Sequence, residues 1–464
     1  MEIQWLQVKR PRYIRALIVV TGRTDASGTA KPSNEQKSRS HLPSGCGCVR
    51  LWRGGETMKC RRCLRTLCLF MLLVFFLVAG GLGQEPLMSS QAKGGNSKAG
   101  VPLLRQGGNM QASGSGWWIE RVDSGSVGNH SSLALDSSGW PHISYYDFGN
   151  DDLKYAHKDA SGWHIDSVDY AGYVGAFTSL ALDSLDRPHI SYCSCTSSSC
   201  STCNDLKYAW HDGDDWHIEW AATTGNVGGY TSLVLVGDQP HISYYDFTNG
   251  DLEYTYKDTF GLPHSETVDS TGDVGRYTSL AVYAGHRYIS YMDYNTDITK
   301  QHLKYAHHDG GTWHVETLDS GSTYTGAYSS LDLCKTYTPA APRITYWRNG
   351  ELGYAHKWFF GGWTYVSLFS DPPGPTSLAL DSLCRVTVSY FELYNGDLRY
   401  SYQHSGGKQI ETVDDEGDTW PYWSSLALDS SDRPYISYYD DSHFGLSYAY
   451  RAHVTHLPLV LQNH

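Results

Sequence analysis

Two kinds of side chain recur at fixed places in this chain. An aromatic ring precedes a Thr/Ser-Ser-Leu step at Phe177, Tyr230, Tyr277, Tyr328 and Trp423, with His130 and Pro375 in the two other copies. A carboxylate stands two residues beyond a shared tyrosine at Asp147, Asp246, Asp293, Glu392 and Asp440, with Ser194 and Arg348 as the departures. Aromatic faces cover the C–H groups of a saccharide while polar atoms fix its hydroxyls. Several weak sites on one molecule would bind a surface jointly. Acidic loops of this kind could also hold Ca²⁺. Against a ligand, Asn249-Gly-Asp251 and Asn395-Gly-Asp397 are good hairpin turns in their own right, and the aromatics would serve equally as padding between repeats.

The cysteines divide into two sets. Cys46, Cys48, Cys60, Cys63 and Cys68 lie in the first 83 residues. Four of the others cluster as Cys193, Cys195, Cys200 and Cys203. A Cys-x-Cys plus Cys-x-x-Cys set could bind zinc. In an exported protein an even number favours two disulfides across the loop instead. Cys334 and Cys384 sit in comparable places of neighbouring repeats, where a further bridge is possible if the distance allows.

Chemistry of other kinds finds little support. No Ser-His-Asp set and no phosphate loop is present. A glycosidase needs a positioned carboxylate pair, and the many acidic residues cannot be paired from sequence. His142, His189 and His241 recur inside one strand position and read as packing residues.

The elements that must position these residues are legible in a phrase repeated seven times: Ser-Leu, about ten residues, Ile-Ser-Tyr, about eight more, then Leu-x-Tyr. Its leucines are Leu133, Leu180, Leu233, Leu280, Leu331, Leu378 and Leu426, spaced 47, 53, 47, 51, 47 and 48 apart. A period of this length with several short strands per unit marks a propeller or an array. The first six units each hold four runs rich in Ile, Val, Tyr and Trp, bounded by Gly, Pro, Asn and Asp. Linkers this short join antiparallel strands, since a parallel crossover needs a dozen residues or more. The seventh unit lacks a fourth run, and an orphan one, Trp117 to Val122, precedes the first. The sequence therefore predicts an all-β, seven-bladed β-propeller, four antiparallel strands per blade, closed by the N-terminal strand joining the last blade. Closure protects edges that an open array would expose. Two tyrosines per copy, from Tyr145 and Tyr155 to Tyr438 and Tyr448, should fill the wedges between blades, each removing roughly 150–250 Å² from water.

The ends read differently. Residues 1–57 carry none of the repeat and are expected to be a disordered extension or a mis-assigned start. Residues 58–83 have a basic start (Lys59, Arg61, Arg62, Arg65), twelve apolar residues from Leu67 to Val78, and small residues after them. That is a secretory signal peptide; a membrane span would need about 20 apolar residues. Residues 84–116 are a Gly- and Ser-rich linker, 117–451 the propeller, and 452–464 a tail. The whole chain is at −13. Residues 1–57 hold ten basic and four acidic side chains and 58–83 only four basic ones, so the remainder stands near −23. Such a charge excludes nucleic acid as an expected partner and disfavours an anionic membrane; nothing beyond the signal peptide addresses a membrane.

The Ser-Leu-Ala-Leu-Asp-Ser…Pro-His-Ile-Ser-Tyr-Tyr-Asp phrase resembles repeats of bacterial secreted propeller proteins, and residues 117–451 carry it. The tail His456-Leu-Pro-Leu-Val-Leu461 resembles short C-terminal segments of secreted bacterial proteins. The blade count is similar to that of fucose-binding propeller lectins, none of whose binding motifs can be placed here. Asp309-Gly-Gly-Thr-Trp313 and Asp159-Ala-Ser-Gly-Trp163 echo the Asp-box of sialidases but lack its serine and are shorter by one. Arg187 and Arg433, in turns on the far face, offer no arginine triad. These readings lead to a secreted or cell-surface, non-catalytic module that binds or displays, with extracellular or cell-wall glycans as ligand and no cofactor unless Ca²⁺. A protein-interaction or structural scaffold is the first alternative, and a sialidase-like glycosidase the second. Blades 2, 5 and 6, where the copies disagree most, are the places to look for a single special site.

Overall fold

The second strand of every repeat is buried on both faces, and that sandwiching organises the molecule. In the computed structural model, Pro141–Asp147 is buried at all seven residues, whereas the outermost Gly162–Asp169 is buried at only two of eight. The structure describes residues 116–451 apart from short loop segments (199, 201, 295–296, 298–299, 321–323, 338, 359–360, 370–372, 405 and 417–422), together with a few isolated short strands before them. The expected signal peptide and C-terminal tail lie outside the described residues, as does most of 1–57 and of the linker.

Seven antiparallel sheets follow one another, each running from an inner first strand to an outer fourth. Blade 1 is Val127–Leu135, Pro141–Asp147, Asp152–Asp159 and Gly162–Asp169. Blade 7 takes three strands from the end of the repeat region, and Trp117–Ser124 pairs with Gly445–Arg451 to complete it. The expected closure is therefore the observed one. A short strand, Met110–Ala112, extends that sheet from within the segment read as linker. All fourteen shared tyrosines are buried.

The repeat's serines, unassigned from sequence, hold adjacent blades together. Each first-strand serine accepts a hydrogen bond from the next blade's leucine N–H at 3.0 Å: Ser132 from Leu180, Ser179 from Leu233, Ser232 from Leu280, Ser279 from Leu331, Ser330 from Leu378, Ser377 from Leu426 and Ser425 from Leu133. A second belt joins the Ile-Ser hydroxyl of one blade to a first-strand hydroxyl of the next, as in Ser144 with Thr178 and Ser437 with Ser131. These contacts pair buried polar groups that would otherwise be costly.

A third belt is ionic. Tyr145, Tyr192, Tyr291, Tyr346 and Tyr438 donate to Asp123, Asp169, Asp269, Asp319 and Asp414 at the end of the preceding blade's outer strand, at 2.7–2.8 Å. Lys154, Lys207 and Lys304 add a cation to three of these. Blade 5 has Gly353 on its third strand, opposite Tyr346, and Arg348, a departure in the sequence pattern, supplies the charge to Asp319 at 2.6 Å.

Disulfides add covalent ties. Cys193–Cys203 and Cys195–Cys200 are nested across the enlarged hairpin of blade 2, with Cα separations of 5.6 and 5.1 Å. Cys334–Cys384 joins blade 5 to blade 6 at 5.3 Å. His142, His189 and His241 are buried, with Nδ1 against the hydroxyls of Tyr155, Tyr208 and Tyr254, in keeping with a packing role.

Candidate functional site

In blades 1 to 5 the chain enters the ring through a kink with two parts. A Val-Gly step (Thr-Gly in blade 5) places glycine at positive φ, and two residues later the aromatic position is left-handed as well. The glycines are at φ 112° (Gly128), 105° (Gly175), 97° (Gly228), 108° (Gly275) and 98° (Gly326). Glycine is required there: a Cβ on Gly175 would lie 2.7 Å from Leu153 Cα of the preceding blade. His130, Phe177, Tyr230, Tyr277 and Tyr328 follow with φ of 53–55°. For non-glycine residues this conformation costs about 1–2 kcal/mol each. The pairing with the second strand shifts register on either side of the kink, as at Val127/Asn129 and Asn129/Ser132.

This kink aims the aromatic rings at the propeller axis. His130 and Phe177 have centroids 4.6 Å apart, Phe177 and Tyr230 4.7 Å, Tyr230 and Tyr277 4.6 Å, and Tyr277 and Tyr328 4.7 Å. Trp423 closes the circuit at 5.7 Å from Tyr328 and 5.3 Å from His130. Only blade 6, with Pro375, contributes no ring. Separations of this size fit favourable tilted and edge contacts. The five aromatics singled out in the sequence are thus one cluster, and His130 completes it. A cavity of about 130 Å³ lies here, lined by the six rings and the first-strand hydroxyls, Thr376 among them.

The cluster mixes ring faces with hydroxyls and carries no charge near neutrality. Burial holds the His130 imidazole down to about 4, and among the described residues its Nδ1 has no hydrogen-bond partner. Burial pushes the phenols of Tyr230, Tyr277 and Tyr328 up, so they stay protonated. Arg276, one residue before Tyr277, is held aside: it pairs with Asp273 at 2.9 Å and its guanidinium lies 3.8 Å from the Tyr294 ring centre.

The carboxylates expected beside these rings are arranged differently. Asp147 accepts from Gly149 N and Asn150 N, both at 3.0 Å, and from the Asn150 amide. Asp246 does the same with Thr248 and Asn249. Glu392 accepts from Tyr394 N and Asn395 Nδ2, and Asp440 from His443. These four are buried, each within its own hairpin. Asp293 is half-buried, which raises its pKa. Among the described residues no group of three or more His, Cys, Asp or Glu is placed to hold a metal ion. The same end of the propeller exposes Phe148, Tyr170, Tyr394 and Phe444 on its hairpins and blade connections.

The arginines and the Asp-box echoes are engaged within their own turns. Arg187, Arg385 and Arg433 each pair with an aspartate four residues earlier, Asp183, Asp381 and Asp429, in turns at the opposite end. Asp159 and Asp309, in the Asp-box echoes, cap their own hairpins and bond His164 and His314.

No family model matches this chain, and neither does any curated protein. Several solved structures have a similar fold. The fucose-specific lectin from Aleuria aurantia is 15% identical, with 64% of this chain and 97% of that one covered and a TM-score of 0.42. The NanB sialidase from Streptococcus pneumoniae is 9% identical, covering 75% and 71%, at 0.38. An α-L-arabinofuranosidase from Fusarium graminearum is 11% identical, covering 71% and 96%, at 0.44. Likenesses at this level carry no argument about what the chain does. Among the described residues no helix is long and apolar enough to cross a membrane.

Proposed function

We propose that this chain is a secreted, non-catalytic propeller that binds glycans at the ring of aromatic side chains on its axis. One observation carries this reading. Five non-glycine residues adopt a left-handed backbone to point rings into one cavity. Glycine would take that conformation freely, and the chain uses glycine two residues earlier in the same kink. Strained side chains gathered at one place are a mark of function, which supports a role for these rings. An apolar wall backed by hydroxyls suits one face of a sugar residue. The ligand would sit at a single axial site, with the exposed aromatics of the same end contacting neighbouring residues of a longer chain.

The test is a glycan array probed with residues 84–464, with and without Ca²⁺. Binding that weakens in Trp423→Ala and Phe177→Ala supports the proposal; no binding under either condition removes it. The exposed Phe148, Tyr170 and Tyr394 favour a second reading, a surface for a protein partner. Capture of one defined envelope protein, unaffected by competing sugars, would support that reading. Turnover of an aryl-glycoside or sialoside would replace both with a hydrolase.

A further inference from the structure

Blade interfaces in this propeller share a socket for an indole, and one socket has lost its tenant. Trp163, Trp216, Trp313, Trp363 and Trp117 each stand on a fourth strand and pack edge-on against the third-strand tyrosine of the preceding blade. Their partners are Tyr448, Tyr155, Tyr254, Tyr305 and Tyr400, with centroids 4.9–5.5 Å apart. Each indole N–H donates to a carboxylate on that blade's outer strand: Glu120 at 2.9 Å, Asp166 at 3.4 Å, Glu266 at 2.7 Å, Glu316 at 3.2 Å and Glu411 at 3.1 Å. Lys158, Lys357 and Arg451 lie over three of the rings, 5.5–5.7 Å from their centres.

Between blades 2 and 3 the indole is missing and its host remains. Pro263 pairs with Lys257 where Trp163 pairs with Lys158. Tyr208, Glu219 and Lys257 keep their places, and Lys257 pairs with Glu219. The result is a cavity of about 160 Å³ lined by Tyr208, Glu219, Pro240, Ile242, Lys257 and Pro263. Blade 6 shows what happens when the socket is simply abandoned. There the tryptophan and the carboxylate are lost together: Val366 stands across from Tyr354, and Lys408 lies over Phe369 at 3.9 Å. Between blades 2 and 3 the acceptor, the ring and the cation are all present, and among the described residues no side chain stands in the place of the indole.

We infer that this socket takes the side chain of a tryptophan presented by a partner polypeptide. The five filled sockets specify the guest: a flat ring that meets a tyrosine edge-on and donates one N–H to a carboxylate. A polypeptide source follows from the exposed Phe260 and Leu262 on the adjoining hairpin, which offer apolar contact to residues flanking the tryptophan. This site is separate from the axial ring and independent of the glycan reading.

The experiment titrates N-acetyl-tryptophanamide into the full chain and follows binding by calorimetry and ligand-observed NMR. Saturable binding with a dissociation constant on the order of 1 mM is expected for so small a probe. Pro263→Trp, which installs the residue that five other blades carry, fills the socket from within and abolishes binding. Glu219→Gln keeps the shape and weakens binding about tenfold by removing the charged acceptor; it also carries the test should Pro263→Trp fold poorly. No saturation up to about 10 mM, or binding unchanged in both variants, overturns the inference. So does binding of methyl pyranosides at the socket, blocked by Pro263→Trp, with none of the indole.

Discussion

Replacing His130 by phenylalanine isolates the cost of keeping an imidazole neutral in the axial ring. In the unfolded chain this imidazole titrates near 6.5; in the fold burial lowers it to about 4. Between those values the unfolded chain binds more protons, so stability rises with pH across that window. The contribution is complete above pH 6.5 and is lost as pH falls towards 4. A tenfold difference in proton affinity is worth about 1.4 kcal/mol, so at pH 4.5 the loss approaches about 2.5 kcal/mol. The residue keeps some exposure, which reduces the figure to about 2 kcal/mol. His130→Phe keeps the contacts with Phe177 and Trp423 and takes up no proton. Urea unfolding of both proteins at pH 7.5 and 4.5 gives the comparison, and His241, also held to about 4, is present in each. The variant should gain about 2 kcal/mol relative to wild type on going from pH 7.5 to 4.5. A relative change below about 0.5 kcal/mol would refute the reasoning, because an imidazole that titrates freely contributes no such slope.

Three further outcomes follow from the contacts between blades. Ser279→Ala removes the acceptor for Leu331 N–H and should cost about 1 kcal/mol in denaturant unfolding. Asp169→Ala leaves the buried Lys207 without its carboxylate and Tyr192 without its acceptor; a loss of about 3–5 kcal/mol is expected. Cys334→Ala with Cys384→Ala opens a loop of 50 residues and should lower stability by about 4 kcal/mol on the loop-entropy account, read as a fall in Tm.

Much of the ring was legible in the chain because a propeller repeats its core. Tyr145 and Tyr155 recur at fixed distances from Ser-Leu and Ile-Ser, and a position needed in every blade betrays packing. The orphan Trp117–Val122 run showed where the ends meet. The serines recur as regularly, but a hydroxyl that bonds to the next blade looks like any strand serine until the blades are side by side. The aromatics were visible one blade at a time. Their convergence on one axis is a property of the closed circle, which neither spacing nor composition expresses, and His130 passed as a departure for the same reason. Asp147 and its counterparts had two uses open to them, and the hairpin amides take four of the five. The departures in blade 5 resolve locally, with Arg348 replacing a lysine from a different strand. The empty socket was readable as Leu262-Pro-His where three other copies have Trp-His, in a blade whose repeat is otherwise regular.

The most direct test of the central claim is calorimetric titration of an oligosaccharide selected from the array into wild type, Trp423→Ala and Pro263→Trp. An axial glycan site predicts one ligand per chain, affinity reduced at least tenfold in Trp423→Ala, and no change in Pro263→Trp. Several equivalent sites per chain, or undiminished binding in Trp423→Ala, would contradict it.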